Sequence, residues 1–159
     1  MKIQSVLANR RLKAFEIETP RGHYTYPFAK VGLVRETPRV AEVYVDEELG
    51  GEAFTYRLDS GEEDTVHVEQ VLDYNQDPEY LKELLLYKLS VEAQKAVEDS
   101  GVSKRELARR LRTSPSQLYR LLDPTKSAKS VGQMLARLHL VGREVDVVVN
   151  PTLPDHSGW

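Results

Sequence analysis

Basic side chains recur at short intervals between residues 104 and 120, and they are the groups of this chain best suited to binding an anion. Lysine and arginine bind phosphate through charge-assisted hydrogen bonds, so several of them on one surface indicate a polyanionic ligand. The set comprises Lys104, Arg105, Arg109, Arg110, Arg112 and Arg120. Whether these side chains act together depends on the elements that carry them.

Two short helices joined by a tight turn are predicted between residues 103 and 122. Ser103 precedes the first helical pattern and is followed three residues later by Glu106, which predicts a reciprocal capping box. Ser114 repeats this spacing with Gln117, and Pro115 takes the first helical position, where its missing N–H is harmless. The residues expected to face inward are Leu107, Ala108, Leu111, Leu118, Leu121 and Leu122. So short a connection requires the two helices to cross.

The run from Ser103 to Pro124 reads S-K-R-E-L-A-R-R-L-R-T-S-P-S-Q-L-Y-R-L-L-D-P. It resembles the helix-turn-helix of the phage-repressor, or xenobiotic-response-element, class, and most closely the version carried by antitoxins of HicB or HigA type. The resemblance covers only the C-terminal part of the chain, roughly residues 89–149. It implies that the second helix enters the DNA major groove while the first crosses the backbone. Arg112 stands where this class usually has glycine, so a positive φ there would strain it.

The resemblance implies DNA contacts for the residues around this turn. Ser116 and Gln117 are the best candidates for base edges, since a glutamine side chain can bond adenine twice. Tyr119 and Arg120 are expected to reach a base or a phosphate, and the other residues to position the DNA backbone. The complete predicted DNA-binding set is Ser103, Lys104, Arg105, Arg112, Thr113, Ser114, Pro115, Ser116, Gln117, Tyr119, Arg120, Lys126 and Lys129. The alternative is an ordinary α-hairpin with a basic, solvated face.

The charges are divided unequally along the chain. Residues 101–143 contain ten basic and two acidic residues, a net charge of +8, whereas residues 1–100 carry −8 and the last sixteen residues carry −3. Because salt screens phosphate attraction over about 8–10 Å, the local surface decides binding more than the overall charge does. The distribution therefore favours DNA binding over the plain α-hairpin. We also expect the acidic half to discourage indiscriminate DNA binding.

Residues 1–75 show the pattern of short strands separated by tight turns. Turn signals occur at residues 19–22, 49–52 and 59–62, between segments in which apolar and polar residues alternate. The predicted strands cover residues 14–19, 23–28, 40–46, 53–58 and 65–68. They predict an antiparallel meander with one buried face. Two roles stay open for it, a structural or oligomerisation module and a module that binds a partner protein or a small ligand.

A helical pattern follows in residues 76–100, with Asp77 as cap, Pro78 in the first turn and Gly101 as the stop. A separate helix starting at Ser90 is the alternative. A stripe at helical spacing is either core or a dimer seam, and it comprises Leu81, Leu84, Leu85 and Leu89, with Tyr80 and Tyr87 nearby.

The end of the chain combines one more helix with an apolar segment. Ser130 and Gln133 predict a further capping box, and Gly142 ends this helix. The residues expected to bury its inner face are Val131, Met134, Leu135 and Leu138. Residues 144–149, EVDVVV, predict a strand. It must pair with its symmetry mate or with the N-terminal sheet, because a lone strand is not stable.

These patterns predict an α+β chain. An antiparallel β-rich domain covers residues 1–75, and an all-α helix-turn-helix bundle with a terminal β-strand covers residues 76–149, with the motif at 103–122. Residues 150–159 read as a flexible tail.

Several functional classes lack support in the sequence. The chain has no cysteine, which excludes thiol catalysis and cysteine-bound zinc and fits a cytoplasmic protein. The four histidines share no ligand spacing, and no glycine-rich phosphate loop occurs, so we expect no metal, no cofactor and no enzymatic activity. The acidic run at residues 62–64 reads as a solvated turn, with paired catalytic carboxylates as the weaker interpretation. No segment is long and apolar enough to span a bilayer, and the first eleven residues lack the apolar core of a signal peptide.

Two functions therefore follow from the sequence. The first is a sequence-specific regulator of transcription that binds a palindromic site in double-stranded DNA as a homodimer. The second is an antitoxin-like interaction module, in which the acidic β-rich half neutralises a basic toxin partner and the helix-turn-helix autoregulates the operon. The two readings are compatible.

Overall fold

The computed structural model describes residues 1–123 and 130–151, and within them the chain is a mixed α+β protein. It contains two three-stranded antiparallel sheets and five α-helices in these ranges. The chain divides into two compact units, of which the first covers Met1–Tyr80 and the second begins at Leu81. No helix of the described ranges is long and apolar enough to cross a membrane.

The first sheet of unit one contains β1 (Ser5–Asn9), β2 (Ala14–Thr19) and β3 (Gly22–Pro27), paired in chain order. The turn between β2 and β3 lies where its residues predict it, because Thr19 pairs with Gly22 and its hydroxyl donates to the Gly22 carbonyl at 3.0 Å. β1 is absent from the predicted strands. It is half-buried at the sheet edge, so its five residues lack a clear alternation.

The second sheet contains β4 (Val40–Val45), β5 (Ala53–Leu58) and β6 (Glu63–His67), again in chain order. Phe54, Tyr56 and Leu58 are buried, as their alternation predicts. The register shifts between Val40 and Glu42, and Ala41, predicted on the inner face, is exposed. The strand predicted at residues 65–68 is observed as β6, which begins two residues earlier, at Glu63, and ends one residue earlier, at His67.

Helix α1 (Val68–Tyr74) closes unit one and was not among the predicted elements. It contacts both β3 and β6, so it covers an edge of each sheet that would otherwise expose unpaired backbone groups. The core beneath it is formed by both sheets and α1, with Phe15, Ile17, Phe54, Val66 and Val71 buried. The rings of Phe15 and Phe54 lie 4.9 Å apart.

Helix α2 (Pro78–Ser100) is one uninterrupted helix, so the separate helix at Ser90 does not form. Asp77 caps it by accepting the Tyr80 N–H at 3.0 Å, and it also accepts the Tyr24 hydroxyl at 2.7 Å. Burial tends to raise the pKa of Asp77, but these two hydrogen bonds and the Arg21 guanidinium lower it overall. The predicted stop is confirmed, because Gly101 has a φ of 71°.

Unit two contains most of α2, followed by α3 (Lys104–Arg110), α4 (Pro115–Leu122) and α5 (Val131–Leu140). Its core draws on all four helices, through Ala93, Val97, Leu107, Ala108, Leu118, Leu122 and Leu138. The predicted box at the start of α5 forms in both directions between Ser130 and Gln133. Val131 and Leu135, predicted to be buried, are instead 43% and 40% exposed.

The predicted terminal strand does not form within the single chain, and its pairing with a second copy stays a prediction. Residues 143–150 form no strand, and Val147, Val148 and Val149 are each more than three-quarters exposed. A strand forms only when a neighbour supplies hydrogen-bond partners, which the residue pattern alone cannot guarantee. The tail prediction falls mostly outside the described residues.

Candidate nucleic-acid interface

Helix α3 begins at Lys104 because Ser103 caps it. The Ser103 hydroxyl accepts the backbone N–H of Glu106 at 3.1 Å. The predicted reciprocal bond is missing, since the Glu106 carboxylate binds arginines on its own helix instead. The start of α3 is therefore fixed by one side chain and not by a full capping box.

The end of α3 depends on an arginine in the left-handed region. Arg112 has a φ of 53°, its N–H donates to the Arg109 carbonyl at 3.2 Å, and the Thr113 N–H donates to the Ala108 carbonyl at 2.9 Å. This pair of bonds is the Schellman arrangement that ends many helices, with glycine as the usual residue at the strained position. Arg112 thus adopts the positive φ that glycine usually adopts at this position of the motif.

Helix α4 follows after four residues. Ser114 caps it by accepting the Gln117 N–H at 3.2 Å, and Pro115 occupies the first turn as predicted. The Gln117 side chain does not return a bond to Ser114, so this box is also one-sided. Within the described residues the Gln117 amide has no hydrogen-bond partner, and it projects from the first turn of α4 with Ser116 exposed beside it.

The predicted DNA-binding residues are almost all at the surface. Thr113 is half-buried, and Lys126 and Lys129 lie outside the described residues. The exposed residues are Ser103, Lys104, Arg105, Arg112, Ser114, Pro115, Ser116, Gln117, Tyr119 and Arg120. Leu118 and Leu122 anchor the opposite face of α4 in the core. The amphipathic pattern therefore leaves one face of α4 open to a ligand.

A groove in unit two brings three of these residues together. Lys104, Tyr119 and Arg120 line it from α3 and α4, and its volume is about 410 Å³. The Lys104 ammonium lies 4.3 Å from the centre of the Tyr119 ring, a cation–π contact that joins the start of α3 to the middle of α4. Glu98 and Asp123 also line the groove, so it is of mixed charge.

Two arginines of α3 share one carboxylate of their own helix, which cancels one of their two positive charges. The Glu106 carboxylate accepts Arg109 Nε at 2.9 Å and Arg110 Nε at 3.1 Å. These hydrogen bonds, reinforced by the two positive charges, lower the pKa of Glu106 from its ordinary 4.5 to about 2. The spacings i,i+3 and i,i+4 are readable in the sequence and would have identified both pairs. By contrast, Arg105, Arg112 and Arg120 form no ion pair among the residues that the structure describes.

Arg137 contributes no charge to this surface. Its side chain is only 3% exposed on the inner face of α5, and Nη1 donates to the Gln133 carbonyl one turn earlier. Nε is buried without a hydrogen-bond partner, and burial lowers the pKa of this guanidinium. The count of ten basic residues therefore overstates the cations that unit two offers to a ligand.

The described ranges contain no cluster of three or more histidine or acidic side chains that could hold a metal ion. Comparisons with models of protein families, with curated proteins and with solved structures give no match to this chain. The argument for function therefore rests on the residues and on the geometry of unit two.

Proposed function

We propose that this protein is a sequence-specific, double-stranded-DNA-binding regulator of transcription, with an N-terminal β-rich domain, a helix-turn-helix domain and a cytoplasmic location. The observation that carries the proposal is the exposed first turn of α4, where Ser116 and Gln117 lie close in sequence to Arg112 and Arg120, two cations with no ion pair among the described residues. The resemblance of residues 103–124 to repressor-type helix-turn-helix motifs supports the same interpretation.

The size of α4 fits its proposed role. With its side chains an α-helix is about 10–12 Å across, which matches the width of the major groove, and the eight residues of α4 provide about two turns of such a helix. The free Gln117 amide offers one donor and one acceptor to a base edge, as adenine requires. Ser114 and Pro115 set the start of the helix, so the N-terminal end that carries Gln117 enters the groove first.

The cations around α4 position the DNA backbone. Arg105, Arg112 and Arg120 form no ion pair within the described parts of the chain, so their guanidiniums are available to phosphate oxygens. Lys104 keeps its charge while lying over the Tyr119 ring. A phosphate that approaches this pair gains the ammonium without breaking a salt bridge.

Dimerisation completes the proposal. One module makes few base contacts, whereas two related by a two-fold axis read a palindrome whose half-sites lie about 34 Å apart. Residues 145–149 form no strand, and the Val147 N–H donates to the adjacent Asp146 carboxylate at 2.8 Å. Antiparallel pairing with the same segment of a second copy would give both copies the same ladder of hydrogen bonds. The charged residues of this segment then lie opposite neutral ones when the axis passes through Val147.

The experiment is selection of bound sites from a random duplex pool with the full chain, followed by sequencing. We expect an enriched, palindromic motif with two half-sites one helical turn apart. Recovery of duplexes without sequence preference would reduce the function to non-specific binding, and recovery of none would refute it. A Gln117→Ala, Ser116→Ala double variant serves as control, because it keeps the cations and loses the proposed base contacts.

The outer face of the second sheet favours the antitoxin-like alternative. Tyr44 is 40% exposed there. Partial burial and then the nearby charges of Glu63, Asp46, Glu42 and Glu48 raise its pKa. Arg57 on β5 already pairs with Glu42 at 2.8 Å, so it is the ring together with the remaining carboxylates that suits an arginine- or lysine-rich protein surface.

Co-expression with the product of an adjacent small gene encoding a basic protein tests this alternative. It predicts a stable complex that a Glu42→Lys, Glu63→Lys double variant disrupts. A Glu16→Lys, Glu18→Lys variant of the first sheet is the matched control. If both variants weaken the complex equally, or if neither weakens it, the outer face of the second sheet is not the partner-binding surface.

A further inference from the structure

Unit one is acidic as a whole, but its exposed cations are concentrated at one end. Between Met1 and Tyr80 the chain has nine basic and sixteen acidic residues, a net charge of −7. Two short segments, residues 10–13 and 35–39, contain five of the nine basic residues and a single acidic one, Glu36. We call this surface the basic end, and it comprises Arg10, Arg11, Lys13, Arg35 and Arg39.

Hydrogen bonds hold the two segments at the same end of unit one. The first segment forms the turn between β1 and β2. Arg10 Nη2 donates at 3.1 Å to the carbonyl of Val40, the first residue of β4, so this turn lies beside the end of the second segment. The Phe28 N–H donates to the Lys13 carbonyl at 2.9 Å, which holds the turn against the start of the loop that leads to β4.

The five side chains of the basic end keep their charges available. All five residues are exposed, and none forms an ion pair with the residues that the structure describes. Arg10 donates to a neutral carbonyl, so its positive charge is not cancelled. Asp59 is an opposing group at this end, since its carboxylate accepts the Arg39 N–H at 3.2 Å. With Glu36 and Asp59 both counted, the basic end carries a net charge of +3.

This surface attracts polyanions despite the acidity of unit one. Salt screens exposed charges over about 8–10 Å, so the charge of the basic end decides what approaches it, and not the net charge of the unit. Four of its five cations are arginines, and a guanidinium binds phosphate oxygens through two parallel hydrogen bonds. The expectation that the acidic half discourages DNA binding therefore does not extend to this end.

A bilayer with anionic lipids is the principal competing occupant, because Leu12 and Val34 lie in or next to the same segments and are 59% and 73% exposed. Stable attachment to a membrane takes a second signal besides a basic patch, such as an inserted amphipathic helix or an acyl chain. Neither segment of the basic end is helical, and two aliphatic side chains bury little area. A DNA duplex needs no apolar contact, because it presents one negative charge per about 1.7 Å of its axis.

We propose that the basic end binds the phosphate backbone of double-stranded DNA without regard to sequence, as a second DNA-binding surface carried by unit one. The choice of DNA as the occupant rests on the proposed function, which already requires this ligand. The inference goes beyond that function, because it gives unit one a share of the affinity and leaves the sequence preference to α4.

The test removes three exposed cations of the basic end whose side chains make no hydrogen bond with the described residues. The triple variant is Arg11→Gln, Lys13→Gln, Arg35→Gln. A matched control removes three exposed lysines elsewhere in the chain. The control variant is Lys2→Gln, Lys88→Gln, Lys95→Gln.

Fluorescence anisotropy at several salt concentrations measures the affinity of each chain for a duplex enriched from the random pool and for a scrambled duplex of the same length. Circular dichroism at 222 nm and the Tm show whether each variant is folded. If the triple variant does not fold, the single variant Arg11→Glu replaces it, since it changes only one exposed residue of the turn.

We expect the triple variant to bind both duplexes at least ten-fold more weakly, with the salt slope reduced by about 2–3, because each lost phosphate contact lowers the slope by about 1. The ratio of its affinities for the enriched and the scrambled duplex should equal that of the parent chain. Arg11→Glu should reduce the slope by about 1. The control variant should keep the parent slope to within about 1.

Parent affinity and slope in the triple variant would overturn this inference, and so would an equal loss in the control variant, which would mean that total charge alone matters. Co-sedimentation with vesicles of phosphatidylserine and phosphatidylcholine gives the lipid arm of the test. Vesicle binding that the triple variant loses, with duplex binding unchanged, would assign the basic end to a membrane and overturn the inference.

The two proposals fail in distinguishable ways. If site selection yields no motif but the triple variant still loses affinity and slope, the sequence-specific function fails and the basic end remains a DNA-binding surface. If a motif is enriched and the triple variant binds as the parent does, the proposed function stands and this inference fails. If the parent chain binds neither duplex, both fail.

Discussion

Single residues on α4 and α3 are expected to contribute to DNA binding in different ways. Gln117 presents a free amide at the start of α4, which suits a base edge, whereas Lys104 presents a charge held over the Tyr119 ring. A base contact changes the preference for one sequence, whereas a phosphate contact changes binding to all of them. This difference gives the first prediction.

Gln117→Ala should relax base preference at one position of the site, weakening binding to the preferred sequence by about 1–3 kcal/mol. Lys104→Ala should weaken binding to all sequences alike and reduce the salt slope by about 1. Anisotropy titrations on matched and single-mismatch duplexes distinguish the two results. Equal effects on preference from both variants would contradict the assignment of Gln117.

Arg137 leads to a prediction about stability and not about binding. A buried guanidinium with an unsatisfied Nε costs free energy that an apolar side chain of similar length does not. Arg137→Met should therefore stabilise the chain by about 1 kcal/mol or more, measured by urea unfolding at 222 nm. Arg143→Met, at an exposed position, is the control, and its stability should differ little from that of the parent chain. A clear loss of stability in Arg137→Met would mean that the guanidinium has a compensating partner.

At the scale of the elements, Glu106 ties the acid stability of α3 to two arginines. Its pKa is lowered in the folded chain, so its contribution to stability is complete above pH 4.5 and is lost as the pH falls through about 2. Glu106→Gln should therefore show a smaller loss of stability between these pH values than the parent chain. Urea unfolding of both chains at a series of pH values measures this loss of stability. Identical pH profiles for the two chains would contradict the pairing.

The elements also show how far the sequence can predict this fold. The serine caps of α3, α4 and α5, the β2–β3 turn and the stop at Gly101 depend on neighbouring residues, and all are present, although the reciprocal bond of the predicted capping boxes forms only at α5. Helix α1 was missed because Val68 was assigned to the strand predicted at residues 65–68, although Val68, Val71 and Leu72 fall at helical spacing and are all buried. The strand predicted at residues 144–149 does not form within the single chain, because its pairing needs a neighbour that the residue pattern does not specify.

The candidate site was predictable to a similar degree. Exposure of Ser116, Gln117 and Arg120 follows from helical periodicity, once Leu118 and Leu122 are assigned to the core. The burial of Arg137 was not predictable, since it depends on which side of α5 faces α2. The pairing of Arg109 and Arg110 with Glu106 was readable from spacing, but the predicted basic surface still counted both arginines among the groups suited to an anion.

At the scale of the whole molecule, the proposed dimer connects DNA affinity to residues outside α4. Val147→Lys should weaken self-association, because it replaces the isopropyl group with a longer side chain that places a positive charge at the proposed two-fold axis. Sedimentation velocity should then show a lower dimer fraction, and affinity for a palindromic duplex should fall at least ten-fold while a half-site duplex binds as before. Val34→Lys, at an exposed valine of unit one, is the control. A dimer fraction unaffected by Val147→Lys would place the interface elsewhere.

The most direct test of the central claim is hydrogen–deuterium exchange of the full chain, with and without a duplex enriched from the random pool. We predict slower exchange on DNA binding in peptides covering residues 103–120, and no change in peptides from β4, β5 and β6. Protection confined to the sheets, with residues 103–120 exchanging as in the free protein, would contradict the assignment of α3 and α4 to DNA.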